Sequence, residues 1–147
     1  MTPGTRIALA VGIAAVLDAG FVSAHHSFSG EFDAAKLTTV RGVVTRFEWI
    51  NPHTFIYVDA TLENGQVEHW ALEGPDVLQL SRRGLNKDTF KAGDTLEACG
   101  YGARDDVDLR NRAAASGRRL LSAERLTLAD GQKLVWSQYG QGKCLVD

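Results

Sequence analysis

Four histidines are the side chains of this sequence best suited to chemistry: the adjacent pair His25 and His26, then His53 and His69. The pair follows Val22-Ser23-Ala24, a small-residue run of the kind cut by signal peptidase. Cleavage there would make His25 the first residue. Its α-amine and imidazole could then share one metal ion, and a second imidazole would complete the T-shaped arrangement called a histidine brace. His26 allows another geometry, using the amine, the intervening deprotonated amide and its own ring. Imidazole suits Cu(II), Zn(II) and Ni(II), with copper bound most strongly in the divalent series. His53 stands just after Asn51-Pro52, at the entrance to a strand, and could supply the extra ligand. The metal candidates are therefore His25, His26 and His53, for copper or another divalent transition metal. The plainer alternative is that His-His at a terminus binds metals weakly in any chain, while His53 orients its turn through a loop carbonyl. His69 is expected to be a half-buried strand residue.

The other polar constellations are less specific. Glu31, Asp33, Glu48, Asp59 and Glu73 have no spacing that singles out an acid/base pair. Glu73 is the best of them as a further ligand or as the partner of one. Trp49, Phe55, Tyr57 and Trp70 could form an aromatic binding face, although alternating strand spacing favours core packing. Arg82-Arg83 suits a helix end, and Arg118-Arg119 a loop end. No GxSxG, HExxH, P-loop or GxGxxG sequence occurs, so the common hydrolase, zincin, nucleotide and dinucleotide signatures are missing. No catalytic residue is assigned.

The elements that must carry these residues follow from composition and pattern. The chain has 147 residues, 44% hydrophobic and 23% charged, with net charge −2. That is globular composition, and it lacks the basic surplus that nucleic acid binding requires. Arg6 followed by the apolar run Ile7–Leu17 is too short for a bilayer crossing but suits a signal peptide over residues 1–24. The expected setting is periplasmic or secreted. Cys99 and Cys144, the only cysteines, are then expected to be joined as a disulfide.

Val40–Trp49 predicts a first strand with Val43, Thr45, Phe47 and Trp49 on one face, and Gly42 marking a bulge or bend. Thr54–Leu62 and Val67–Leu72 flank Asn64-Gly65, a strong hairpin signal. Asp76 caps a short helix, Val77–Arg83, with Val77, Leu78 and Leu80 on its apolar side and Gly84 closing it. Thr95–Tyr101, Arg119–Leu128 and Lys133–Trp136 supply the later strands, with a long exposed loop over Ala103–Gly117. Strands one to three, a helix, then further strands is the arrangement of the oligonucleotide/oligosaccharide-binding (OB) barrel. The fold expected is all-β with one short helix, a small, partly closed OB-like barrel of five to six strands. An open β-sandwich is the other possibility. The expected divisions are an arm over 25–39, the barrel over 40–136 and a tail over 137–147.

The stretches HHSFSGEFDAAK, TRFEWINPHTFIYVD, ENGQVEHWALEG, LSRRGLNKDTFKAGD and LADGQKL occur in this order. Together they resemble a family of small secreted bacterial proteins of unknown function that begin His-His-Ser-Phe after the signal peptide. That family shares Glu-Trp-x-Asn-Pro-His, Trp-x-x-Glu and Arg-Arg-Gly segments. The resemblance spans nearly all of Ala24–Leu134. It departs at Ala103–Arg118, which is longer here, and at His69, where the family more often has Asn. It implies secretion and a compact β fold, and no activity.

Three functions compete on these residues. One is a non-enzymatic periplasmic binding protein that holds a metal ion through its N-terminal histidines. A second is an adaptor that takes a peptide, glycan or protein partner on the aromatic face. The third is a copper-dependent redox enzyme. Neither nucleic acid binding nor integration in a membrane is expected.

Overall fold

The computed structural model describes residues 28–105, 117–137 and 142–145. The expected signal peptide, His25, His26 and most of the expected loop lie outside the described residues. A short helical turn, α1 (Phe28–Glu31), leads into β1 (Phe32–Glu48). Then follow β2 (Phe55–Thr61), β3 (Val67–Glu73), helix α2 (Val77–Arg82), β4 (Thr95–Ala103), β5 (Arg119–Leu128) and β6 (Lys133–Val135). A final 3₁₀ turn covers Lys143–Leu145.

The six strands form one sheet in the order β3-β2-β1-β4-β5-β6, and β3 also pairs with β5. Only that last pairing is parallel, and it bends the sheet into a partly closed barrel. The length of β1 makes the curvature possible. Its first part pairs with β4, from Phe32 opposite Ala103 to Val43 opposite Thr95, and its last part pairs with β2, from Val43 to Glu48. The strand expected to begin at Val40 thus begins at Phe32, because β4 supplies backbone partners for residues that carry little strand pattern of their own.

The expected face of β1 is corrected in its middle. The β1–β2 register shifts between Val44 and Arg46. A bulge of this kind adds a residue and reverses the alternation beyond it. Val40 and Val44 therefore face the core before the bulge, and Phe47 and Trp49 face it after, while Val43 and Thr45 are exposed. Gly42 is not itself the bulge. A Cβ there would lie 2.6 Å from the carbonyl oxygen of Asp59, so the glycine allows β2 to approach closely.

The main core inside the barrel gathers Val40, Val44, Ile56, Val58, Ala60, Trp70, Leu72, Leu96, Ala98, Leu121, Ala123 and Leu126. Ile56, Val58 and Ala60 share one face, as their spacing predicts, whereas Leu62, expected on the same face, lies just past the end of β2 and is exposed. Helix α2 contributes Leu80 alone to this core. Leu78 is exposed, since two helical positions are separated by about 200° of rotation. The Asp76 side chain caps α2 by accepting from Gln79 N–H at 2.8 Å.

A second cluster lies on the opposite face of β2 and β3. It joins Phe32, Phe55, Tyr57, Ala71, Tyr101 and Leu120, with Phe28 packed against it. The Phe28 ring is 5.6 Å from Phe32 and 5.4 Å from Tyr101. The first described residues thus cover the outside of the barrel, and β2 is buried on both faces.

The disulfide between Cys99 and Cys144 is present, with Cα atoms 5.7 Å apart. It ties the C-terminal turn to β4. Beside it, the buried Glu124 carboxylate accepts from Gly142 N–H at 3.0 Å and Cys144 N–H at 3.2 Å. Among the described residues, no helix is long and apolar enough to cross a membrane.

Candidate functional site

The entrance of β2 is fastened to the exit of β3. Thr54 N–H donates to Pro75 O at 3.1 Å, Gly74 N–H donates to Thr54 O at 2.9 Å, and the Thr54 hydroxyl adds a third bond to Pro75 O at 2.9 Å. Asn51 Oδ1, just upstream, accepts from Val77 N–H at the start of α2. His53 therefore sits between two anchored points. Phe55, two residues on, faces Glu73 directly across the β2–β3 ladder.

This fastening brings His53 and Glu73 together. The His53 Nδ1 lies 3.0 Å from Glu73 Oε1. The Glu73 residue is only 3% exposed, and the His53 side chain is 24% exposed. The second carboxylate oxygen, Oε2, is buried without a hydrogen-bond partner. An oxygen removed from water and left unpaired is unfavourable until a donor or a cation meets it. Sequence spacing gives no hint of this, because twenty residues separate the pair and only the hairpin joins them.

His69 is corrected to an exposed position, its side chain 53% accessible. It faces Asp59 across the ladder, and its Nδ1 lies 2.7 Å from Asp59 Oδ1. Two histidine–carboxylate pairs thus occupy the same hairpin, at opposite ends.

Between them, the candidate aromatic residues are used for packing. Phe55 and Tyr57 belong to the outer cluster, Trp70 to the main core, and Trp49 packs against that core beside Phe47. Tyr57 donates to Glu48 Oε2 at 2.6 Å. Its ring is flanked by the guanidinium groups of Arg46 at 4.3 Å and Arg118 at 5.1 Å. Burial, and next the Glu48 carboxylate, hold the Tyr57 phenol above its ordinary pKa, against the pull of Arg46. Arg119 lies 4.6 Å over the Trp70 ring and pairs with Glu68. The Arg118-Arg119 pair, expected at a loop end, therefore stacks on two aromatic side chains. Arg83 donates to the carbonyls of Val135 and Ser137, pinning α2 to the last strand. Of the remaining carboxylates, Asp33 accepts from Ala35 N–H at 2.9 Å.

The donor set can be compared with what a metal needs. Among the described residues, no group of three or more His, Cys, Asp or Glu side chains is placed to hold a metal ion. His53 and Glu73 offer one imidazole with a carboxylate on its Nδ1. That is the usual surrounding of a metal-bound histidine, whose other ring N–H is held by an acceptor. A complete site built on His53 would take its other donors from outside the described residues, where His25 and His26 lie.

No curated protein matches the chain, and no solved structure does. A family model, described as a family of unknown function (DUF6152), matches residues 14–110. That span runs through β1, β2, β3, α2 and β4 and includes His25, His26, His53 and Glu73. The chain belongs to this family of unknown function.

Proposed function

We propose that this protein is an exported, non-enzymatic binding protein that holds a divalent transition-metal ion, copper in preference to others. The ligands are His53 and the processed N-terminus, with the α-amine and ring of His25 and the ring of His26 as its donors. The observation that carries this reading is the packing of Phe28 into the same outer cluster as Phe55. His25 is three residues before Phe28, a chain reach of about 10 Å. His53 is two residues before Phe55. One cluster therefore anchors both segments that carry the histidines.

Conversely, the residues that would make an adaptor face are committed to packing, which leaves the metal reading the better supported. Imidazole and amine nitrogen donors suit copper and its neighbours in the divalent series. Binding requires these donors to be deprotonated, so affinity falls as the solution is acidified.

Calorimetric titration with Cu(II) tests the reading on protein that begins at a native His25. Adding one Gly before His25, or changing His25→Ala or His53→Ala, should weaken binding strongly, and His69→Ala should change it little. Affinity no better than that of an unstructured His-His-Ser peptide would overturn it. N-terminal sequencing of the exported protein tests the processing step on which it depends.

A further inference from the structure

The wall of the barrel is split between β1 and β2. Their ladder ends at Val43 opposite Asp59, yet β1 includes Arg41 and β2 includes Thr61, which that register would place opposite each other. Gly42 stands at the narrow end, where the β2 backbone approaches closely. Beyond it lies a groove of about 660 Å³, with Thr39 and Arg41 on one side and Thr61 and Glu63 on the other. A second hollow of about 510 Å³ shares Thr38, Trp70 and Arg119 with it and reaches Lys36.

One backbone edge of β1 faces this split. Val44 N–H donates to Asp94 O at 2.7 Å, and Val44 O accepts from Gly93 N–H at 2.9 Å, so both groups point toward the start of β4. Backbone direction alternates along a strand. Gly42, Val40 and Thr38, opposite Leu96, Ala98 and Gly100, therefore also face β4. The N–H and C=O groups of Leu37, Thr39 and Arg41 face the other way. Among the described residues, no strand pairs with that edge before Val43.

We propose that this split is a peptide-binding site, in which an extended segment of a partner protein adds to β1 as a further strand. Alternate residues present paired donors and acceptors about 7 Å apart, the repeat of an extended main chain. The guest runs antiparallel to β1, the more stable pairing. One of its faces turns inward over Val40, Ala60 and Trp70, so small or apolar side chains suit every second position. On the rim, Arg41 is paired with Glu97 and Arg119 with Glu68. Glu63 is exposed on the groove and has no ion pair among the described residues. A Lys or Arg of the guest complements it. Because the β2–β3 hairpin forms the opposite wall, the occupant is a single extended chain rather than the broad edge of a second copy. None of the groove residues is a proposed metal ligand, so the site is independent of the metal reading.

Hydrogen exchange on the free protein reads the edge directly. The amides of Leu37, Thr39 and Arg41 should exchange far faster than those of Thr38, Val40 and Gly42. Equal protection would mean that the edge is already covered and overturns the proposal.

Binding is tested with a phage-displayed library of random octapeptides, selected on the folded protein. The selected peptides should alternate small or apolar residues with others and carry a Lys or Arg. Made synthetically, they should slow exchange at the same three amides. Thr39→Pro removes a donor from the free edge and none from the β4 ladder. It should weaken the selected peptides by about 10-fold or more, through the lost hydrogen bond and its unpaired acceptor. Glu63→Gln should weaken them less and reduce their sensitivity to salt. If Thr39→Pro fails to fold, exchange at the three amides of the parent, with and without peptide, decides the same point. A library that yields no binder overturns the proposal, as do peptides that leave the three amides unprotected or bind Thr39→Pro as tightly as the parent. Protection of the edge that appears only as protein concentration rises would assign it to a second copy and also overturn the proposal.

Discussion

The Trp136 indole lies against Gly74, so closely that a Cβ built on Gly74 would overlap Nε1 and Cε2 and come within 2.9 Å of Cζ2. Trp136 is completely buried, and its ring contacts Phe47 and Phe90. Gly74 directly follows Glu73, so this contact sets how β3 leaves the barrel beside the candidate site. Gly74→Ala should push the indole out of its place and lower stability by about 1–3 kcal/mol, the usual range for overpacking. Urea unfolding followed by tryptophan fluorescence measures it. An unchanged midpoint would show that the indole has room to move.

The disulfide closes a 45-residue separation. By loop closure, its loss in the Cys99→Ser, Cys144→Ser variant should lower stability by about 4 kcal/mol. The tail should also loosen, because the Gly142 and Cys144 amides are bonded only to Glu124 across the same junction. Hydrogen exchange at those two amides should quicken far more than exchange in β2. Equal rates in the bridged and unbridged proteins would mean that hydrogen bonds to Glu124 and Tyr101 secure the tail without the bridge.

Asp76 makes a pH-dependent contribution whose sign can be fixed. Hydrogen bonds from the Gln79 side chain and then its backbone N–H stabilise the ionised carboxylate and lower its pKa in the folded chain. A folded-state pKa below the unfolded one gives stability that is fully present above the unfolded value. It is lost as pH falls through the folded value. The parent should therefore be more stable than Asp76→Ala at pH 7, with the gap narrowing once pH drops below about 4. Chemical denaturation of both proteins across that range gives the gap directly, and a gap independent of pH would contradict the cap.

Tyr57 and Tyr101 should both resist ionisation. Burial comes first for each, followed by the Glu48 carboxylate for Tyr57 and the Glu124 carboxylate for Tyr101. Each phenol is thus held in its protonated form, and the stability it contributes is lost as pH rises through its raised value. Ultraviolet titration should show the two tyrosines ionising above the ordinary value of about 10. Tyr57→Phe should remove one late-titrating step. Normal titration of both would place them in contact with solvent.

Much of the fold is legible in the sequence. Asn64-Gly65 marks the β2–β3 hairpin, Gly65 takes the positive φ that the turn requires, and Asp76 caps α2 from its place just before Val77. Alternation in Ile56, Val58 and Ala60 indicates the core face of β2. These signals are local, carried by residues within one turn or one strand, and they suffice for an all-β chain with one helix before β4. The disulfide was legible from the cysteine count and the expected compartment.

What only the tertiary structure decided is which distant residues meet. The start of β1 at Phe32 depends on β4, where its partner is the distant Ala103. The facing of Phe47 depends on a bulge that is defined only against β2. Phe28 belongs to a cluster whose other members come from five strands. His53 and Glu73 were both legible as polar residues near strand ends, but their pairing arises from the hairpin register and the Thr54–Pro75 fastening. Burial of the Glu73 carboxylate is likewise a property of the closed barrel. Sequence spacing reports the chemistry a side chain carries, whereas its partner and its exposure are set by strands that converge only on folding.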